Sequence, residues 1–331
     1  MMTIRGWVEC EGTVLASQQV EDLVSRNPGE ISRLGGEFLI SWDNCIARDL
    51  YGIMPGECNP GTVACDGRIV GKIHPEPPDM DLEASIITAV RLRSGDDAAC
   101  ALSGGVDSAL VAKLAGRPCV AMGMEGCHDL ARARHAAGLM ELPCEYVVVR
   151  ERDVEEALAE VVPVIPVVNP VEVSIAASQY FITRWAGEQG FRQVLTGQGA
   201  DELFGGYARY LDVADPGALR ARDFASLRRQ GDRDQAVAAL HGIYFSLPYL
   251  DVRVVRAARA IPAGDLVRSG VRKYPLREVA ERHIPPEIAW YDKKAMQYGS
   301  GIWKIIRKLA RHNGYKKAVQ DYINQFGWRK I

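Results

Sequence analysis

Six consecutive residues, Ser103-Gly104-Gly105-Val106-Asp107-Ser108, place hydroxyls, glycines and one carboxylate between a short apolar run and a helical pattern. The glycines let the backbone approach phosphate oxygens with no Cβ in the way. Loop and helix-start N–H groups aim at the same anion, and the helix dipole adds to the attraction. Ser103 and Ser108 supply hydroxyl donors. Asp107 would repel a phosphate unless a divalent cation lay between them, so it reads as a magnesium ligand. A second segment, Thr196-Gly197-Gln198-Gly199-Ala200-Asp201-Glu202-Leu203-Phe204-Gly205-Gly206-Tyr207, also follows a strand-like run. Both loops are expected at the carboxyl edge of one sheet, where ligands bind in open α/β folds. There Asp201 becomes the second magnesium ligand, and Gly197 and Gly199 join the phosphate-binding set.

Two other phosphate motifs fail. Gly67-Arg68-Ile69-Val70-Gly71-Lys72-Ile73 is one residue short of a Walker loop and ends in isoleucine where a hydroxyl should hold the metal. No G-x-G-x-x-G follows a strand, so a dinucleotide enzyme is not supported.

The elements that must position the loops follow from the apolar pattern. Asp81 can cap a helix through Ile86, Ile87 and Val90. Short apolar runs at 98–102, 119–122, 144–149 and 194–195 then alternate with helical patterns at 108–115, 129–140, 152–162 and 171–188. Such alternation implies βαβ units and a doubly wound parallel sheet covered on both faces. From about 216 onward the pattern is mainly helical. Residues 1–73 carry β-like runs between glycine turns, and the prolines of His74-Pro75-Glu76-Pro77-Pro78-Asp79 read as a linker. The expected organisation is a small β-rich unit at 1–73, a linker at 74–81 and an ATP-binding α/β domain at 82–331.

Composition narrows the class. The 331 residues are 47% hydrophobic and 25% charged with a net charge of -2, a globular composition with no global pull toward nucleic acid or membrane. No apolar run approaches the roughly 18–20 residues of a bilayer span, and no signal peptide is visible, so a cytoplasmic location is expected. The eight cysteines form no C-x-x-C pair and are expected to pack as reduced hydrophobes, not as a disulfide framework. From Lys293 to Lys330 ten Lys/Arg face one acid, Asp321. With Trp303, Ile306 and Leu309 turned inward this reads as a solvated helix face, so nucleic acid is not the expected partner.

The motifs together resemble the synthetase domain of the glutamine-dependent asparagine synthetases, ATP pyrophosphatases of the PP-loop type. That family carries Ser-Gly-Gly-x-Asp-Ser and a later Gly-Glu-Gly-x-Asp-Glu-x-Phe-Gly-Gly-Tyr. Leu247-Pro248-Tyr249-Leu250-Asp251 resembles its Val-Pro-Phe-Leu-Asp, and Lys273-Tyr274-Pro275-Leu276-Arg277-Glu278 its Lys-x-x-Leu-Arg-Glu. Trp290-Tyr291-Asp292-Lys293 through Gly301 resembles the segment that holds a catalytic lysine. The resemblance implies ATP as substrate with magnesium, cleavage between the α- and β-phosphates, and an AMP-forming ligation. A carboxylate is adenylated, and ammonia or an amine then displaces AMP. It further implies Lys293, Gln198 and Glu202 as catalytic residues and Lys273 as an ATP or pyrophosphate contact.

Three departures set the chain apart. Met2 stands where the family's glutaminase has its nucleophilic cysteine, and Cys10 is internal, without the free amine that would activate it. The N-terminal unit, in which Gly36-Glu37-Phe38 and Arg48-Asp49-Leu50-Tyr51-Gly52-Ile53 resemble glutaminase fragments, therefore reads as an inactive remnant. Ammonia, a substrate amine or a separate amidase subunit is expected to supply nitrogen. Gln198 replaces the family's glutamate, and related β-lactam synthetases have tyrosine there. It can orient by hydrogen bonds but cannot take a proton as a carboxylate does. Ser246 replaces an arginine before Val-Pro-Phe-Leu-Asp, which removes an expected anion contact.

Overall fold

Alternation of buried and exposed residues sets the first sheet. In the computed structural model, which describes residues 2–291, 299–316 and 318–328, six antiparallel strands occupy the N-terminal segment. They are β1 (Thr3–Cys10), β2 (Thr13–Leu15), β3 (Gly35–Trp42), β4 (Cys45–Arg48), β5 (Thr62–Cys65) and β6 (Arg68–Lys72), in the order β2-β1-β3-β4-β5-β6. Two hairpins turn on residues with positive φ, Glu11-Gly12 (51° and 83°) and Asp66-Gly67 (47° and 73°), as a two-residue turn that matches strand twist requires. Helix α1 (Ser17–Arg26) packs Val20 and Val24 with Val8, Phe38 and Ile40 in one apolar cluster.

Cys45 and Cys65 stand directly opposite on β4 and β5, their Cα atoms 4.0 Å apart, and are joined as a disulfide. The expectation of uniformly reduced cysteines is corrected here: strand register, invisible in a spacing of twenty residues, brings these two together. The other six are free, among them Cys100 and Cys119, which are buried.

The chain divides into two compact units that do not follow chain order. The first holds Met1–Arg93, Gln198–Gly231 and Ser246–Tyr274; the second holds Ser94–Gly197, Asp232–Phe245 and Pro275–Ile331. Within the first, α2 (Leu82–Arg93) carries Arg93 into the apolar interior. Its guanidinium bonds Glu37 of β3 at 2.7 Å and Asp251 at 2.8 Å. Arg253 joins Asp251 to Glu9 of β1. All five side chains are buried, an arrangement tolerable only because each charge has a partner. Burial opposes ionisation of Asp251, but Arg93 and Arg253 outweigh it and hold the carboxyl below the usual range. The proline-rich segment runs without regular structure, and the Arg256 guanidinium donates to the carbonyls of Pro75 and Pro77.

The second unit is the doubly wound α/β fold that the alternation implied. Strands β7 (Ala98–Ala101), β8 (Cys119–Gly123), β9 (Cys144–Val148), β10 (Gln193–Leu195) and β11 (Tyr244–Ser246) give the order β11-β10-β7-β8-β9, and β10, β7, β8 and β9 run parallel. Helices α3 (Val106–Ala115), α4 (His128–Met140), α5 (Glu151–Val161) and α6 (Pro170–Glu188) make the connections. The nineteen-residue α6 starts on Pro170 at its first position, with Asn169 Oδ1 accepting from the N–H of Val171 and Glu172. Winding runs outward from β7 to β8 and β9 and then returns to β10 on its other side. The switch point therefore lies at the carboxyl ends of β7 and β10, where α/β folds place ligands. In the basic tail, the helix Ile302–His312 buries Ile302, Ile305, Ile306 and Leu309, while Lys304, Arg307, Lys308 and Arg311 are exposed. This is the solvated-face pattern. No helix among the described residues is long and apolar enough to cross a membrane.

Candidate functional site

The first loop leaves β7 at Ser103 and enters α3 at Val106. Gly104 has φ +73°, and a Cβ there would stand 2.7 Å from the carbonyl carbon of Arg132 on α4. Gly105 caps α3 in an extended conformation. Ser108 Oγ accepts from the Ser103 N–H at 3.1 Å and lies 2.8 Å from Ser103 Oγ. The two serines thus lock each other across the loop. Gly197, at the end of β10, presses on the same turn: a Cβ there would lie 2.7 Å from Asp107 Cβ and 2.8 Å from the Ser108 nitrogen. Gly104 is fixed by a left-handed backbone and a close helix, and Gly197 by contact with the loop it faces.

From Gln198 onward the second loop belongs to the first unit. Gly199 (φ +89°) caps a short helix, α7 (Ala200–Phe204), and Gly205 (φ +69°) ends it. Asp201 Oδ1 sits 2.8 Å from Lys273 Nζ. Lys273 has φ +57°, unusual for a side-chain-bearing residue, and is buried. Gly206 leaves room for this pair, since a Cβ there would fall 1.7 Å from Asp201 Oδ1 and 2.2 Å from Lys273 Cε. Two of the segments named from their motifs therefore meet through Asp201 and Lys273, 72 positions apart in sequence. Glu202 has other partners. Its Oε1 accepts from the Tyr207 hydroxyl and, at 3.0 Å, from Gln230 Nε2, and burial raises its carboxyl above the ordinary range. Gln198 stands at the start of this loop. Lys293 lies outside the described residues.

Ser246 requires a correction. Position 246 is buried, and its hydroxyl donates to Glu37 Oε2 at 2.6 Å, while the Leu247 N–H donates to Oε1 at 2.8 Å. This side chain faces a buried carboxylate already paired with Arg93, not a substrate. Motif and spacing carry no sign of this, because Glu37 and Arg93 lie far from Ser246 and Asp251 in the chain.

Arg132 also escaped the motifs. It lies on α4 with His128 and His135, at the i, i+4, i+7 spacing of one helix face. The Tyr291 hydroxyl lies 2.9 Å from His128 Nε2, and His135 Nε2 lies 2.5 Å from Glu287. Arg132 stacks on the Tyr291 ring at 3.6 Å.

A serine-glycine loop between a parallel strand and a helix, at the switch point of a doubly wound sheet, defines an α/β nucleotide-binding domain. The asparagine synthase family model matches residues 81–231 and 221–325, and the chain belongs to that family. A Methanocaldococcus jannaschii protein assigned as a glutamine-hydrolysing asparagine synthetase is 32% identical over 303 residues, covering 76% of this chain and 54% of its own. The glutamine-hydrolysing asparagine synthetase of Gallus gallus is 26% identical over 80% of this chain and 50% of its own. That of Homo sapiens is 27% identical over 70% and 44%. The chain spans about half the length of the curated relatives it matches.

Proposed function

We propose that this protein adenylates a carboxylic acid with ATP, releasing pyrophosphate, and passes the acyl group to a nitrogen nucleophile with release of AMP. The observation that carries the reading is the Ser103–Ser108 loop, cross-linked by its two serines at the carboxyl end of β7. Loop N–H groups and both hydroxyls bind the phosphates, and the α3 dipole favours the charge that grows on the leaving pyrophosphate.

The carboxylates of Asp107 and Asp201 are hard oxygen donors of the kind magnesium takes, and Asp201 is 43% exposed at its side chain. Each is proposed as a magnesium ligand, and the metal would offset phosphate charge when bound. Lys273 holds Asp201 in place and neutralises it until the nucleotide arrives. Lys293 supplies the cation for the phosphorus under attack. Gln198 orients the acyl group and its nucleophile by hydrogen bonds. Glu202, buried against Tyr207 and Gln230, fixes α7 and thereby Asp201.

Ammonia or a substrate amine supplies nitrogen. Burial pushes the thiols of Cys10 and Cys58 up in pKa, which makes them poor nucleophiles for an amide. The test is ATP–pyrophosphate exchange with a panel of carboxylic acids, each with ammonium and with glutamine. Exchange that Asp107→Ala abolishes is the expected result. No exchange with any acid overturns the proposal.

A further inference from the structure

Among the described residues, Arg132 is a cation on α4 whose stripe neighbours, His128 and His135, both have polar partners. Its Nε and Nη2 are buried and make no hydrogen bond. These two atoms are the parallel donors on one side of the guanidinium, the fork that fits two oxygens of a single anion. The Tyr291 ring, 3.6 Å from the guanidinium carbon, covers one face of the plane and leaves the in-plane donors uncommitted. A buried donor pair without an acceptor is costly, and such a cost persists where a ligand relieves it. The backbone locates the ligand: the Arg132 carbonyl carbon and oxygen lie 2.7 and 2.8 Å from where a Gly104 Cβ would be. Gly104 belongs to the loop already assigned to phosphate, so the helix turn bearing the fork lies against that loop.

We propose that Arg132 is a further phosphate-binding residue, its Nε–Nη2 fork taking two oxygens of one phosphate group of ATP. This deepens the ATP reading above and rests on it. Tyr291 is the positioning residue, since its ring fixes the plane of the fork. Arginine is required because lysine offers a point charge and no parallel donor pair.

The test measures binding of ATP and of inorganic pyrophosphate by calorimetry, together with the KM for the acid that the wild type uses in exchange. Arg132→Ala is expected to weaken ATP or pyrophosphate at least tenfold, with the acid KM within twofold of wild type and an unchanged circular dichroism spectrum. Arg132→Lys is expected to recover less than half of that loss on a logarithmic scale. Tyr291→Phe keeps the ring and should bind like wild type, while Tyr291→Ala should weaken binding several-fold. Unchanged ATP and pyrophosphate affinities in Arg132→Ala overturn the proposal, as does full rescue by lysine. A rise confined to the acid KM overturns it too, assigning the fork to a carboxylate. If the wild type itself binds no ATP and exchanges no pyrophosphate, the ATP reading falls, and Arg132 with it.

Discussion

Ser246 and Glu37, 209 positions apart, are joined by a 2.6 Å hydrogen bond inside the first compact unit. Glu37 also takes the Leu247 N–H and the Arg93 guanidinium, so one carboxylate holds β3, α2 and the Leu-Pro-Tyr-Leu-Asp segment together. Ser246→Ala removes one bond to a charged acceptor and should cost about 1.5–3 kcal/mol. Glu37→Ala leaves Arg93 short of a partner in a dry interior and should cost about 3–5 kcal/mol. Denaturant unfolding measures both. The KM for the acid should be unchanged in Ser246→Ala; a rise of tenfold or more would return position 246 to the substrate.

The difference between the legible and the hidden parts is one of range. A strand, a glycine loop and a helix that follow one another between Ala98 and Ala115 announce themselves, because backbone approach to an anion demands small residues at fixed places. The alternation that follows likewise fixed the doubly wound sheet. Neither periodicity nor motif reports pairs made by packing, such as Arg93 with Glu37 and Asp251, or Cys45 with Cys65. The prolines at 75–78 marked a break in regular structure, yet they could not show that Arg256 ties down their carbonyls. The helix carrying Arg132 and His135 was legible from its pattern at 129–140, but the face they share with His128 was not singled out. Its meaning depends on which of the three finds an acceptor.

Gly197 tests the close contact beneath the first loop. A methyl group there would meet Asp107 Cβ at 2.7 Å and the Ser108 nitrogen at 2.8 Å, atoms fixed by the first turn of α3. Overpacking of this kind costs about 1–3 kcal/mol, and here relief comes only by shifting the loop. Gly197→Ala should lower the exchange rate by at least tenfold, on the order of 1.4 kcal/mol, while thermal unfolding remains cooperative. Exchange at the wild-type rate would show that the loop has slack.

Glu202 makes a pH prediction. Burial raises its carboxyl above the ordinary range, and the Tyr207 hydrogen bond opposes this only in part. Because the folded value is the higher one, its contribution to stability is complete below the unfolded value near 4.5 and is lost as pH rises through the folded value. In Glu202→Gln the amide oxygen can still accept from Tyr207 and Gln230, which both bond Oε1, but nothing ionises. The variant should gain on the wild type as pH rises from about 4.5 to neutrality, read as the difference between their melting temperatures. Parallel stability curves would mean that Glu202 titrates as an exposed acid does.

The disulfide between Cys45 and Cys65 closes a loop with a sequence separation of 20 across β4 and β5. Restricting the unfolded chain by a loop of that size is worth about 3 kcal/mol. Cys45→Ser, Cys65→Ser and the reduced wild type should therefore lose similar amounts of stability, and the double variant should lose no more than either single one. The bonds of β3 to β1 and of Arg93 to Glu37 do not involve the cysteines, so the sheet should persist and the proposed ATP–pyrophosphate exchange should continue at low temperature. Thiol titration of denatured, unreduced protein should find six groups, not the eight of the sequence. Eight titrating thiols would show the pair reduced, and losses that add in the double variant would show that the two cysteines act separately.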